Sequence, residues 1–266
     1  HAAQWRNTIA TFVEPIIGNV YVRDIDTAHI AKVLEPIWLT KNETASRVRG
    51  RIESILDWST VRGYRKGENP ARWRGHLDHI LAKPSKVKKV EHHAALPFAE
   101  MGSFMAQLRK QVGMGARALE FAILTAARSG EVRGATWDEI NLDQAIWVIP
   151  GERMKAKKEH RVPLSEDAVT MLRTLPRFGD SKLLFPNNRG NILSDMTLTA
   201  VLRRMNRPVT AHGFRSTFRD WAAERTNYPR EVAEMALAHT LESKVEAAYM
   251  RSDMFEKRRR MMRDWT

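Results

Sequence analysis

The sequence predicts a mostly α-helical protein that contains one small three-stranded antiparallel sheet. Apolar residues recur at helical spacing over most of the chain. In the middle, this pattern changes to short runs rich in tryptophan and β-branched residues, ATWDEI, AIWVI and HRVPL, which are typical of strands. A polar, basic stretch, KPSKVKKVEHH, interrupts the apolar pattern over residues 83–93. Such a stretch indicates a boundary between two domains.

We therefore expect a helical domain over residues 1–83, a linker over 84–96 and a larger domain over 97–266. A chain of 266 residues is long enough for two domains with substantial cores. Because the chain begins at His1 and not at a methionine, we also expect an upstream segment to precede it.

Helix-boundary signals divide the first domain. Gly18 ends the first helical pattern, and Asp26 or Thr27 can cap the second. Thr40 and Glu43 have the spacing of a capping box at the start of a third helix. That helix carries basic residues one turn apart, Arg47 and Arg51. A solvated basic face is the simpler interpretation of this pair.

The amino-acid composition limits the classes of partner and chemistry that the chain can have. Lysine and arginine outnumber aspartate and glutamate by 44 to 31, giving a formal charge of +13 and a pI near 10.2. This charge suits a polyanionic partner, although charge alone does not distinguish nucleic acid from an acidic membrane surface. The absence of cysteine excludes disulfides, thiolate metal ligands and cysteine nucleophiles. No apolar run approaches the ~20 residues needed to span a bilayer, and no secretory signal is visible.

The second domain begins with helices. The apolar run Leu119–Leu124 predicts a buried helix that leads into Arg128, and the helical pattern breaks at Gly134. The strand-like segments follow. Asn141 lies in the first predicted turn, and Lys155 lies in the second turn, between the second and third strands.

Candidate chemistry is concentrated towards the C-terminus. His212 and Arg215 lie three residues apart in a helical pattern, His239 ends another apolar run, and Tyr249 follows one short segment later. Cationic donors with a phenol suggest phosphate chemistry, in which the donors hold a phosphate that the phenol attacks. Each element alone is more often structural: a polar helix face, a salt-bridged arginine such as Arg128, or a core tyrosine.

The order of these elements resembles the tyrosine recombinase (phage integrase) family, most closely the integrases of phages and genomic islands. The motifs that carry the resemblance are LTAARSGEVRGATWDEINL, ERMKAKKEHRVPLS, AHGFRSTFRDWAAE, EMALAHT and EAAYMR. The resemblance implies a helical core-binding domain followed by a tyrosine-recombinase catalytic domain. The implied catalytic set is Arg128, Lys155, His212, Arg215, His239 and Tyr249.

The family's chemistry assigns a role to each residue. Tyr249 would attack a DNA phosphodiester to leave a 3′-phosphotyrosyl bond, and Arg128 and Arg215 would clamp the phosphate. Lys155 would protonate the leaving 5′-oxygen, with Lys157 and Lys158 as rivals. The remaining assignments concern the supporting groups: His212 would bind the phosphate or take the tyrosine proton, His239 would donate to a non-bridging oxygen, and Glu131 would orient Arg128 or a neighbouring donor. No metal or other cofactor is needed.

The resemblance also implies partners. The substrate would be double-stranded DNA at attachment sites, bound by a homotetramer in the synapse with accessory DNA-bending proteins, in the bacterial cytoplasm and its nucleoid and not at a membrane. The candidate DNA contacts are basic residues of the first domain and linker: Arg47, Arg51, Lys86, Lys88 and Lys89. The lysines can equally belong to a plain tether.

Two alternatives to integration or excision of a mobile element remain at this stage. A type IB topoisomerase-like enzyme would use the same catalytic set to relax DNA. A non-catalytic DNA-binding protein could keep the scaffold without the reaction, although the complete set of residues argues against it.

Overall fold

A computed structural model describes residues 2–87, 94–239 and 252–266. The chain divides into two compact units, His1–His92 and His93–Thr266. The division falls inside the stretch 84–96 for which we predict a linker, and the bounds of that linker stay a prediction. The predicted fold class is confirmed, because helices dominate and the strands form one three-stranded antiparallel sheet.

Within the described residues, the regular secondary structure of the first unit is helical. Its helices are α1 (Ala2–Phe12), α2 (Glu14–Ile17), α3 (Thr27–Trp38), α4 (Asn42–Val61) and α5 (Pro84–Val87). The apolar positions of α3 and α4 recur every three or four residues and pack together as the core of this unit. The Trp38 ring stacks on the Trp73 ring with centroids 5.5 Å apart, which fixes the end of α3 against the later loop.

Two boundary predictions in this unit have different outcomes. Asp26 caps α3, because its side chain accepts a hydrogen bond from the backbone N–H of His29 at 3.0 Å. The predicted capping box of Thr40 and Glu43 is wrong. Helix α4 begins later, at Asn42, and Lys41 precedes it without a side-chain cap.

The second unit begins with helices and encloses the sheet. Its elements are α6 (Met101–Arg109), α7 (Met114–Thr125), α8 (Ser129–Arg133), β1 (Ile140–Asn141), β2 (Ile146–Ile149), β3 (His160–Pro163), α9 (Glu166–Thr174), α10 (Thr197–Arg204), α11 (Gly213–Arg225), α12 (Arg230–Ala236) and α13 (Phe255–Trp265).

The sheet has the order β1-β2-β3, and both pairings are antiparallel. Only the end of ATWDEI is a strand, since Trp137–Glu139 forms a 3₁₀ turn before β1. The Trp147 side chain of β2 is buried against Phe121, and its Nε1–H donates to Glu139 at 2.9 Å. The β2–β3 connection carries Lys155, as predicted from the sequence.

Helix α7 is the centre of this unit. Its residues from Ala118 to Thr125 are all buried, so the helix is surrounded by neighbours and not amphipathic. Helix α13 covers part of the same unit: Met261 and Met262 pack with Phe218 of α11, and the Trp265 Nε1–H donates to the Ile123 carbonyl at 2.9 Å. The C-terminal helix therefore packs on its own chain here.

No helix within the described residues has the length and apolar character required to cross a membrane.

Gly213 lies where α11 meets the segment that begins the second unit. A Cβ atom at this position would lie 2.1 Å from the Ala94 carbonyl oxygen, so no side chain fits without moving backbone. The contact is supported by the Thr217 hydroxyl, which donates to the Leu96 carbonyl at 2.6 Å. Residue 213 must therefore be glycine, because the two backbone segments approach each other too closely for a side chain.

We expect Gly213→Ala to lower the free energy of unfolding by about 2 kcal/mol or more, because overpacking against backbone costs energy that side-chain repacking cannot relieve. Urea denaturation measures the change. Gly102→Ala is the matched control, since Gly102 lies in the first turn of α6 with open space around its Cα. Equal stability of the two variants would contradict the close approach.

Candidate active site

The turn that follows α7 determines the position of Arg128, the first candidate residue. Ala126 adopts a left-handed conformation with φ of 50°, which ends the helix and turns the chain towards Arg128. This conformation costs an alanine about 1–2 kcal/mol, which the surrounding contacts must offset. The turn exposes the Ala126 carbonyl to the interior of the unit, where it accepts a hydrogen bond from Arg215 Nη1.

Arg128 is held by the buried carboxylate of Glu131. Arg128 Nη1 donates to Glu131 Oε1 at 2.8 Å, and the backbone N–H of Arg128 donates to Oε2 at 2.9 Å. Glu131 is only 6% exposed, so its charge is compensated by this contact more than by water. The same carboxylate thus fixes both the side chain and the backbone of Arg128.

Arg215 lies on the first turn of α11 and is 5% exposed. Its donors go to uncharged groups: Nη1 to the Ala126 carbonyl, and Nη2 to the Leu237 carbonyl at 2.6 Å and to His239 Nε2 at 3.1 Å. Its Nε–H is buried and has no hydrogen-bond partner in the described part of the chain. No carboxylate within the described residues forms an ion pair with this guanidinium.

The pKa of Arg215 is lowered to about 10, mainly by burial and next by the nearby positive charge of Arg128, while Glu131 and Glu234 oppose the change. The guanidinium remains charged at neutral pH. The two arginines therefore repel each other in a buried site, and this repulsion is unfavourable until an anion binds.

Backbone carbonyls at the C-terminal end of α12 accept hydrogen bonds from the side chains of this site. Three successive carbonyls accept from three different elements: Ala236 from the His160 imidazole, Leu237 from Arg215, and Ala238 from Arg128 Nη2 at 3.1 Å. A helix C-terminus carries partial negative charge, which suits cationic donors. Ala238 is also left-handed, with φ of 49°, and this conformation ends the helix just before His239.

The His239 imidazole lies between the Glu234 carboxylate and the Arg215 guanidinium and contacts both. Its Nδ1 lies 2.7 Å from Glu234 Oε2, and its Nε2 lies 3.1 Å from Arg215 Nη2. Glu234 also accepts from Arg219 Nε at 2.8 Å. Burial raises the pKa of Glu234, but the hydrogen bonds from His239 and Arg219 outweigh this effect, and the net pKa is lowered.

His160, at the start of β3, was not singled out from the sequence. Its pKa is lowered to about 4, mainly by burial and next by the charges of Arg258 and Arg128, against the opposing effects of Glu131 and the Ala236 carbonyl. It is therefore a neutral imidazole beside the arginines. The only sequence signal was its place in HRVPL, five residues after Lys155.

The other predicted catalytic residues lie in different settings. His212 is exposed and immediately precedes α11, three residues before Arg215. Lys155 is exposed in the β2–β3 connection, where the structure records no contact between it and Arg128 or Arg215. Its rival Lys157 donates from Nζ to the Glu152 carbonyl at 3.2 Å, and Lys158 is exposed. Tyr249 lies outside the described residues.

The predicted DNA-contact residues of the first unit differ in exposure. Arg47 is exposed on α4 and pairs with Glu43 at 2.8 Å. Arg51 is buried, donates to the Gln4 carbonyl at 3.0 Å and lies over the Trp5 ring, so its guanidinium already joins α4 to α1. Lys86 is exposed at the end of α5, whereas Lys88 and Lys89 lie outside the described residues.

The described residues contain no cluster of three or more histidine, aspartate or glutamate side chains able to hold a metal ion. The arrangement instead offers a fixed pair of guanidiniums, an imidazole and a buried, unpartnered N–H. Such a set can hold a phosphate and stabilise the negative charge that develops when the phosphate is attacked.

Comparison with known proteins gives consistent matches. The phage integrase central domain matches residues 1–76, and the phage integrase family domain matches residues 95–256. Over its whole length the chain is 29% identical to the integrase of Enterobacteria phage P4 and 30% identical to the prophage integrase IntZ of Escherichia coli. It spans 64% and 65%, respectively, of the lengths of these relatives.

Solved structures agree in fold. A crystal structure of a lambda integrase dimer bound to a COC′ core site has a TM-score of 0.68 at 18% identity, covering 94% of this chain and 88% of that one. The Tn1549 transposon integrase in complex with transposon right end DNA has a TM-score of 0.70 at 13% identity, covering 99% and 93%.

His160 makes stability depend on pH. Its ordinary pKa of 6.5 falls to about 4 on folding, so the native state binds fewer protons than the unfolded chain between these values. Its contribution to stability is complete above pH 6.5 and is lost as the pH falls through about 4. We expect His160→Gln to lose less stability on acidification than the unaltered chain, by at most about 3 kcal/mol.

Urea denaturation between about pH 7 and about pH 4 measures this difference. His79→Gln is the control, because the His79 side chain is 79% exposed. It should reproduce the profile of the unaltered chain, including the acid loss caused by carboxylates such as Asp253. Parallel pH profiles for His160→Gln and His79→Gln would show that His160 is not buried as a neutral imidazole.

Proposed function

This chain belongs to the phage integrase family of tyrosine recombinases, and we propose that it cuts and rejoins DNA through a covalent 3′-phosphotyrosyl intermediate. The family match covers residues 95–256, which include every candidate catalytic residue. The activity would be site-specific recombination that integrates or excises a prophage or genomic island.

One observation supports this proposal most directly. Arg215 is a buried guanidinium that, among the described residues, pairs with no carboxylate and has no hydrogen-bond partner for its Nε–H. A buried charge without a counter-charge is unfavourable, and proteins retain such an arrangement where a ligand supplies the opposite charge. With Arg128 beside it, the site suits an anion that accepts several N–H donors at once. A phosphodiester meets both requirements.

The proposed reaction conserves the energy of the phosphodiester bond. The Tyr249 oxygen attacks phosphorus, a new P–O bond forms to the tyrosine, and the P–O5′ bond breaks. The phenol proton passes to His212, and Lys155 gives a proton to the leaving 5′-oxygen. Attack by the 5′-hydroxyl of a second strand reverses these steps and completes strand exchange.

Arg128 and Arg215 would act on the two non-bridging oxygens throughout. Their guanidiniums stay charged and are held by fixed carbonyls and by Glu131, so little reorganisation is needed as negative charge develops. His239 would donate a further hydrogen bond to the phosphate. Side chains thus supply the charge stabilisation that metal ions give in many nucleases.

The DNA would be held by both units. We propose Arg47 as a backbone or base-edge contact, because it is the exposed member of the arginine pair on α4, and Lys86, Lys88 and Lys89 as contacts of the connecting segment. We propose a homotetrameric synapse in the bacterial nucleoid. A lambda integrase tetramer bound to a Holliday junction has the same fold, with a TM-score of 0.67, which supports the tetrameric assembly. Accessory DNA-bending proteins would assist assembly.

We expect a nicked duplex that carries the target site to trap a covalent adduct at Tyr249. Tyr249→Phe keeps the ring but removes the nucleophilic oxygen, so DNA binding should persist while the adduct disappears. Arg215→Ala should keep the nucleophile but slow adduct formation by about 10²-fold or more, because a charge-stabilising donor is lost. Denaturing gels and peptide mapping measure both results.

Arg225→Ala provides the control, because Arg225 lies at the opposite end of α11 from Arg215 and is exposed. It should form the adduct at the normal rate. An adduct mapped to another residue, or cleavage without any adduct, would overturn the proposal.

A second prediction tests the general acid. If Lys155 protonates the 5′-oxygen, Lys155→Ala should cleave ordinary DNA slowly but should cleave a substrate with a 5′-bridging sulfur at a nearly normal rate. A thiolate leaves without needing that proton, because it is a much weaker base than an alkoxide. Single-turnover cleavage of both substrates measures the ratio. Lys157→Ala and Lys158→Ala are the matched variants, and sulfur rescue in either of them instead would reassign the acid.

A further inference from the structure

Glu234 is the first residue of the EMALAHT motif, but it is not among the predicted catalytic residues. It lies in the last turn of α12, and its side chain is 15% exposed. Its two oxygens have different partners: Oε2 contacts His239 Nδ1 at 2.7 Å, whereas Oε1 accepts from Arg219 Nε at 2.8 Å and lies 3.6 Å from Arg230 Nε. The carboxylate is therefore fixed in orientation by groups from two helices.

The contacts of His239 determine where its proton lies. An arginine guanidinium only donates hydrogen bonds, so His239 Nε2, at 3.1 Å from Arg215 Nη2, must present its lone pair. A neutral imidazole with an acceptor Nε2 carries its hydrogen on Nδ1, which faces the Glu234 carboxylate. Both contacts thus require the same tautomer.

We propose that Glu234 is a positioning residue for His239: its carboxylate accepts the Nδ1 proton, fixes the imidazole plane and aims Nε2 at the phosphate site beside Arg215. The residue acts through His239 and touches neither DNA nor the reacting atoms. This inference rests on the proposed function for its effect on cleavage, but the tautomer itself can be measured without DNA.

The proposal has a consequence for the reaction. Because Nε2 is an acceptor in the DNA-free protein, donation to a phosphate oxygen requires Nε2 to take one proton from solvent when the phosphate arrives. His239 would then lie as a cation between the Glu234 carboxylate and the phosphate. Among the described residues, the other charged groups around it are Arg219 and Arg230 on the Glu234 side, and Arg215 with the Arg128–Glu131 pair on the phosphate side.

The first experiment determines the tautomer of His239 by ¹⁵N NMR of the DNA-free chain with labelled histidine. The His239 signals are assigned as those missing from the spectrum of His239→Gln. The unaltered chain should show a protonated Nδ1 and an unprotonated Nε2. Glu234→Leu should lose this single tautomer, whereas Glu234→Gln should keep it, since the amide oxygen still accepts from Nδ1. The same spectrum in the unaltered chain and in Glu234→Leu would overturn the proposal.

The second experiment measures single-turnover adduct formation and DNA affinity for the same variants. Glu234→Leu should slow adduct formation by about 10-fold with DNA affinity within about 3-fold, because a misaligned donor costs part of the 10²–10³-fold that such donors contribute. Glu234→Gln should recover most of the rate. An unchanged rate for Glu234→Leu, or no recovery by Glu234→Gln, would contradict the positioning role.

Two controls separate positioning from loss of charge. Glu231→Gln removes a carboxylate one turn earlier on α12 that does not contact His239 in the described structure, and it should behave as the unaltered chain. Arg219→Gln removes the other main partner of Glu234 while leaving the His239 contact, and it should keep the tautomer. If the unaltered chain forms no adduct at all, the proposed function fails, and the NMR result still decides whether Glu234 positions His239.

Discussion

The hydrogen bonds from Arg128 and the buried Arg215 to the C-terminal end of α12 determine the arrangement of the candidate site. The Leu237 carbonyl holds Arg215 and the Ala238 carbonyl holds Arg128, so two residues that are distant in sequence meet at adjacent backbone atoms. Each bond to a charged donor contributes more than a neutral one. The geometry of the guanidiniums therefore depends on where one helix ends, and the left-handed Ala238 fixes that end.

In the described part of the site, Arg128 has a carboxylate partner and Arg215 does not. Glu131 compensates Arg128, and Glu234 compensates Arg219 behind His239. Among the described residues, the partners of Arg215 are carbonyls and an imidazole. Neutral His160 adds no positive charge because its pKa is lowered to about 4, first by burial and then by nearby arginines. The protein thus limits repulsion to the pair of charges that would face a phosphate.

Much of this organisation could be predicted from sequence, for identifiable reasons. The helices, the sheet and the order Arg128, His212–Arg215, His239 follow from periodicity and motif spacing, which are local properties. His160 could not be found in that way, because it meets Ala236 and the arginines through elements far apart in the chain. Glu234 lies only five residues before His239, but its orientation also depends on Arg219 of α11, which motif spacing does not reveal. Local rules also failed at Thr40, where a capping-box spacing exists but α4 begins at Asn42. Arg51 matched the basic face expected for DNA, yet its guanidinium is buried against α1.

The packing of α13 has a practical consequence for anyone shortening this protein. Its Met261 and Met262 fill the apolar space between α11 and α12, and the buried Arg258 donates to the Arg161 carbonyl of β3 at 2.6 Å. Helix α13 therefore packs against both α11, which carries Arg215, and α12, which leads into the Leu237 carbonyl that accepts from Arg215. A fragment trimmed before Phe255 would retain every motif residue but lose these packing contacts. A shorter chain should therefore be designed around the packing of this helix and not around the last motif.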